Sequence, residues 1–221
     1  MRGDLIQLTS LLKNFFTPTS FMEIGSRNGV DAKYICEYWN IQPENAYIVE
    51  ANIFCYQDIR ASMIANGQKP FAKVIYGACS NKDEMANFNC VMSSNQEIVG
   101  ISSLKKHSNL NLNYQTTRVE CFRVEKILKE KQIDLFKIDV EGHGYEVLEG
   151  MGDEISKVKA IQIETEDVPN FENQKLDVDV HNFLTDKGFE LFDKKPCWAS
   201  QFDCLYINKK QNDNSIIWAT T

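Results

Sequence analysis

Phe21-Met22-Glu23-Ile24-Gly25-Ser26-Arg27-Asn28-Gly29-Val30 reads as a short apolar strand ending in an acidic residue, then a glycine-bearing turn, then a helix whose apolar positions continue through Ala32, Ile35, Cys36 and Trp39. Gly25 lets the backbone turn sharply and leaves room for a ligand, while Gly29 permits tight packing where the helix starts. A second apolar strand follows, Ala46-Tyr47-Ile48-Val49-Glu50, and it too ends in a carboxylate. Acids at two successive strand ends are harder to dismiss than one.

Glu23 narrows the ligand class. A carboxylate beside this turn repels a pyrophosphate, so the E-x-G-x-x-x-G spacing suits a nucleoside with a cationic tail. S-adenosylmethionine, with its ammonium and sulfonium, is such a ligand. Glu50 stands where an acid would hydrogen-bond ribose hydroxyls. A nicotinamide oxidoreductase is the competing enzyme, but it wants G-x-G-x-x-G, and residues 25–29 lack the close glycine pair.

Outward from this unit, the 221 residues suit one domain. Residues 1–19 are expected to be an N-terminal helix covering the core, capped by Asp4, with apolar positions from Leu5 to Phe16 and an end before Pro18. The main domain is placed at 20–210 and a tail at 211–221. Asn52 is set to cap a helix ending near Asn66-Gly67, and 71–78 reads as a third strand. Residues 81–117, rich in Asn and Ser with Ser-Ser pairs at 93–94 and 102–103, form an insertion with a candidate strand at 85–92. Such an insertion carries substrate contacts or is a mobile surface loop. Strands follow at 118–122, 133–139 and 158–163, with helices after the first two and at 178–185. The last strands, 189–192 and 202–207, have no helix between them and are expected as an antiparallel edge. The alternation predicts an α/β sandwich with a mostly parallel sheet.

Net charge of −7 and a sequence pI near 5.1 argue against a broad nucleic-acid surface. The Lys105-Lys106-His107 cluster reads as a solvated loop. With neither a signal-like apolar core nor a bilayer-length apolar run, the expectation is a soluble, cytoplasmic protein. Seven scattered cysteines without C-x-x-C spacing read as reduced, buried thiols. Edge strands or the N-terminal helix could serve a homodimer.

Strand ends at Glu23, Glu50, Asp139 and Glu164 would direct four carboxylates to one rim, the side where ligands bind in open α/β sheets. Around Asp139 the sequence is Ile133-Asp134-Leu135-Phe136-Lys137-Ile138-Asp139-Val140-Glu141-Gly142-His143-Gly144-Tyr145-Glu146-Val147-Leu148-Glu149-Gly150. This resembles the signature of the FkbM-type methyltransferases, a class I S-adenosylmethionine-dependent family. The likeness extends from Glu23-Ile24-Gly25 through Tyr47-Ile48-Val49-Glu50 to Ile163-Glu164 and Lys187-Gly188-Phe189. Glu23 replaces the commoner Asp, and Gly144 stands where Glu is usual.

The resemblance implies a Rossmann-like sandwich with a seven-stranded sheet and an antiparallel C-terminal hairpin. It also implies O-methylation of a hydroxyl on a sugar, glycan or natural-product acceptor. Carried over by position, Glu23, Gly25, Ser26 and Gly29 would hold the methionine end of S-adenosylmethionine, Glu50 and Ala51 the ribose, and Ala78, Cys79 and Ser80 would flank the adenine. Asp139 would close the site. His143 has the pKa range of a general base, with Asp139 and Glu141 near enough in sequence to orient it. Asp139, Glu141, Glu164 and Glu166 offer oxygen ligands for Mg2+ or Ca2+, with Asp139, Glu164 and Glu166 the preferred set. A domain that binds an adenosyl ligand or a partner without catalysis is the non-enzymatic alternative.

Overall fold

The computed structural model describes residues 2–65, 69–93, 96–97, 100–108 and 110–211. The expected helix stop at Asn66-Gly67, Ser94 and residues 212–221 lie outside the described residues. In chain order the strands are β1 (Phe21–Ile24), β2 (Ala46–Glu50), β3 (Lys73–Tyr76), β4 (Ala78–Cys79), β5 (Glu84–Ser93), β6 (Gln96–Glu97), β7 (Asn113–Phe122), β8 (Leu135–Ile138), β9 (Ala160–Glu166), β10 (Phe189–Trp198) and β11 (Gln201–Asn208). The α-helices are α1 (Gly3–Ile6), α2 (Val30–Trp39), α3 (Ile53–Ile64), α4 (Glu125–Leu128), α5 (Gly144–Glu149) and α6 (Asp177–Asp186).

A seven-stranded sheet runs in the order β10-β11-β9-β8-β1-β2-β3, parallel except for β11. Its central strands are buried on both faces, which explains their near-continuous apolar character. Their two charged residues, Glu23 and Lys137, are register partners and so meet inside the sheet. One face carries Met22, Ile24, Phe136, Ile138, Ile161 and Ile163. The other carries Phe21, Ile48 and Leu135 under Leu8, Leu12 and Phe15 of the N-terminal segment.

That segment departs from the expected single α-helix. α1 passes into a π-helical stretch, Gln7–Leu11, and then a 3-10 turn, Leu12–Asn14. The wider turn accompanies a buried Gln7, whose Nε2 donates to Asp193 Oδ2 and to the Asp203 carbonyl, both at 2.9 Å. Asp4 is no N-cap: it is buried inside the first turn, 3.7 Å from Lys137.

Two further stretches differ from expectation. The strand predicted at 71–78 breaks at Gly77, where a Cβ would lie 2.9 Å from the Phe122 ring, and β4 continues into a second sheet. Residues 81–117 contribute β5, β6 and the start of β7 to that sheet, ordered β4-β7-β5-β6, whose β5–β7 ladder runs from Glu84↔Cys121 to Met92↔Asn113. The C-terminal hairpin is present, but β11 lies between β9 and β10 and leaves β10 alone as the edge. None of the seven cysteines forms a disulfide; six are buried as expected and Cys197 is exposed. No helix among the described residues is long and apolar enough to cross a membrane.

Candidate active site

The carboxyl ends of β1, β2, β8 and β9 open into a cavity of about 200 Å³. Phe88 on β5 and Gly100, Ser102 and Leu104 also line it, so the second sheet and the segment between β6 and β7 roof the site.

Glu50 anchors the first wall. Its Oε2 accepts the Ser26 and Arg27 backbone N–H groups at 3.0 and 2.9 Å, and Oε1 accepts that of Asn52 at 2.8 Å. Burial lifts its pKa above the usual carboxylate range against these hydrogen bonds. Ala51, Ala78 and Cys79 line the cavity beside it. Gly25 and Ser26 line it too, yet the space at Gly25 (φ 80°) belongs to the neighbouring strand rather than a ligand. A Cβ there would lie 1.8 Å from the Asp139 carbonyl oxygen. Gly29 packs on Ile59 of α3 and stands back from the cavity, as do Glu23 and Ser80.

Glu23 is held behind the wall by a side-chain hydrogen bond from Ser26 Oγ and an ion pair to Lys137. Burial pushes its pKa up to about 7 even with Lys137 alongside. Lys137 is the residue that sequence reasoning missed. Its Nζ lies 3.5 Å from Glu23 and from Asp139, 3.6 Å from Asp31 and 3.7 Å from Asp4. Burial alone would lower its pKa, but the four carboxylates outweigh that and keep it charged. The available signal was a lysine inside the apolar run of residues 135–138.

Asp139, Glu141 and Glu164 converge, with one oxygen of each lying within 4.8 Å of the others. Burial and this crowding raise Glu141 well above the carboxylate range and Glu164 to about 10. Glu166 stands outside the triad. It is buried deeper along β9, with its pKa raised to about 7 by desolvation and one oxygen lacking a hydrogen bond. The converging set therefore has Glu141 in the place assigned to Glu166.

His143 lines the cavity at the start of α5. Ser80 Oγ lies 3.0 Å from its Nε2, and Nδ1 faces Glu146 Oε2 at 3.6 Å. The carboxylate beside the ring is thus Glu146, one helical turn on, rather than Asp139 or Glu141. Burial lowers the imidazole pKa to about 4, Lys105 adds to the effect and Glu146 opposes it, so the ring is neutral at pH 7. Lys105 itself is no solvated loop residue: its Nζ is 2.7 Å from Glu146 Oε1 and donates to the Asn173 carbonyl at 3.1 Å. His107 likewise packs on the Phe171 ring and pairs with its backbone.

A sequence model described as the methyltransferase FkbM domain matches residues 23–191. No curated protein sequence matches the chain. Among solved structures, methyltransferase FkbM from Methylobacillus flagellatus aligns with a TM-score of 0.56 at 12% identity, over 86% of this chain and 43% of that one. M. capricolum TrmK in complex with S-adenosyl-homocysteine aligns with a TM-score of 0.55 at 12% identity, over 96% and 70%. A candidate tRNA (m1A22) methyltransferase from Streptococcus pneumoniae, in complex with S-adenosyl-L-methionine, gives 0.56 at 13% identity, over 94% and 73%. At these identities the structural likeness establishes a shared fold.

Proposed function

From the premise that this chain belongs to the FkbM-domain methyltransferase family, we infer that it binds S-adenosylmethionine in the acid-lined cavity and methylates a hydroxyl of a sugar, glycan or natural-product acceptor. The observation that carries the reading is the charge of the lining. Asp31, Glu50, Asp139, Glu141 and Glu164 face the cavity against Arg2, Arg27 and Lys137. The crowding that holds protons on Glu141 and Glu164 in the empty cavity is relieved when a cation sits among them, so the lining favours a sulfonium and an ammonium over the pyrophosphate of a dinucleotide. Glu50 Oε2 is filled by two N–H groups of the turn, while Oε1 accepts one and has a lone pair left for a ribose hydroxyl.

Bound there, the cofactor supplies an electrophilic methyl group on a cationic sulfur. The chain's own task is to align the acceptor oxygen with it and to remove one proton, and alignment alone can supply much of the acceleration. His143 is neutral and can take that proton at Nε2, displacing the Ser80 hydroxyl, while Glu146 steadies the resulting imidazolium through Nδ1. The roof formed by Phe88 and Leu104 excludes water from the reacting atoms.

The test is isothermal titration of the protein with S-adenosylmethionine and S-adenosylhomocysteine, with NAD as control and Glu50→Ala alongside. Adenosyl-ligand binding that fails in the variant is expected; absence of binding by the wild type overturns the reading. His143→Ala is expected to keep cofactor affinity and lose turnover, and unchanged turnover would remove the base assignment.

The convergence of Asp139, Glu141 and Glu164 favours one addition: these oxygens would hold Mg2+, which would lower the pKa of an acceptor hydroxyl. A magnesium-dependent rise in melting temperature, abolished by Glu164→Gln, is the expected outcome. The net charge of −7 weighs against a tRNA acceptor such as that of the streptococcal neighbour.

A further inference from the structure

Arg27 is held in an unfavourable backbone conformation and has an unused side chain. Its φ of 58° places a long, non-glycine residue in the left-handed region, where glycine or asparagine is the usual occupant. The Glu50 carboxylate keeps it there by accepting its backbone N–H. The side chain lines the cavity and is exposed, and among the described residues its guanidinium makes no hydrogen bond or ion pair. Local strain retained around a cation that has only the longer-range attraction of Glu141, with no hydrogen bond or close ion pair among the described residues, points to a ligand.

The roof lies against this side chain. Gly100 (φ 106°) faces the guanidinium, and a Cβ built on it would lie 3.4, 3.5 and 3.6 Å from Nη1, Cζ and Nε. The remaining cavity cations are already engaged. Lys137 sits among four carboxylates at 3.5 to 3.7 Å, and Arg2 pairs with Asp31 at 3.0 Å.

S-adenosylmethionine carries a carboxylate as well as an ammonium and a sulfonium. An acid-rich lining answers the two positive groups and repels the negative one, so the cofactor's amino-acid tail needs a cation. We propose that Arg27 is the carboxylate-binding residue of the cofactor site, its planar fork reaching the methionine carboxylate from its place against Gly100. This rests on the cavity being the S-adenosylmethionine site.

The test is calorimetric and needs no acceptor. The full chain is titrated with S-adenosylhomocysteine and with S-adenosyl-3-thiopropylamine, the same thioether without its carboxylate. Arg27→Met is expected to weaken the first by about tenfold or more and to leave the second unchanged, as loss of one charge-assisted pair requires. Arg27→Lys should retain part of the affinity. Arg27→Gly should raise the melting temperature, because the strain is relieved, while losing the same affinity. Equal affinity of wild type and Arg27→Met for S-adenosylhomocysteine overturns the proposal, and so does equal weakening of both ligands, which would mark a damaged turn. A wild type that binds neither adenosyl ligand overturns the cofactor reading with it.

Discussion

Lys137 links four parts of the chain through one ammonium: Asp4 from the N-terminal segment, Glu23 from β1, Asp31 from α2 and Asp139 beyond β8. Removing it leaves buried carboxylates facing one another. Lys137→Met is expected to cost about 3–5 kcal/mol of stability at pH 7. The deficit should shrink as pH falls and the carboxylates take up protons, and urea unfolding at pH 5 and pH 7 checks both points. Glu50→Ala carries a related cost of about 1–3 kcal/mol, because the backbone donors at Ser26, Arg27 and Asn52 lose their acceptor. Its binding defect is therefore read alongside its melting temperature. Carboxylates at strand ends were legible in the sequence because acids are conspicuous in apolar runs. The roles of Lys137 and Arg27 were not, since each depends on which groups the fold brings near, and Asp4 and Asp139 are remote from each other along the chain.

At the scale of elements, the burial and crowding of acids on β1, β9 and β11 set a pH dependence. Glu23, Glu164, Glu166 and Asp203 have folded pKa values raised to about 7, 10, 7 and 6. In the unfolded chain they ionise near pH 4 to 4.5. The folded state therefore holds more protons above that point, and the stability they contribute is lost as pH rises through the folded values. His143, depressed to about 4, works oppositely: its contribution is complete above pH 6.5 and lost as pH falls toward 4. Four acids against one imidazole predict a larger unfolding free energy at pH 5.5 than at pH 8 for the ligand-free protein, measurable by chemical denaturation. The roof makes a second prediction. Lys105 ties the segment after β6 to Glu146 on α5 and to the Asn173 carbonyl. Lys105→Met is expected to speed hydrogen exchange across residues 100–108 while β1 and β8 stay protected. This connection was illegible beforehand, because both partners lie far along the chain from Lys105. The strand β7 was half hidden for another reason: its first residues, Asn113 to Thr117, are largely polar, and inward burial begins at Val119.

For the whole molecule, alternating strand and helix signals were enough for the layered α/β architecture, and the stretch from Ile133 to Gly150 was enough for the family. The position of the last strand was not legible, because a hairpin signal says that β10 and β11 pair and nothing about which of them meets β9. In the structure β11 fills the gap, antiparallel to both neighbours. This has a consequence for synthesis. While residues 201–208 are still to be made, the outer edge of β9 is an open hydrogen-bonding template and β10 has no partner beside it. The sheet is thus completed only once β11 has been made, and a nascent chain stalled before it would expose that edge to other copies of itself.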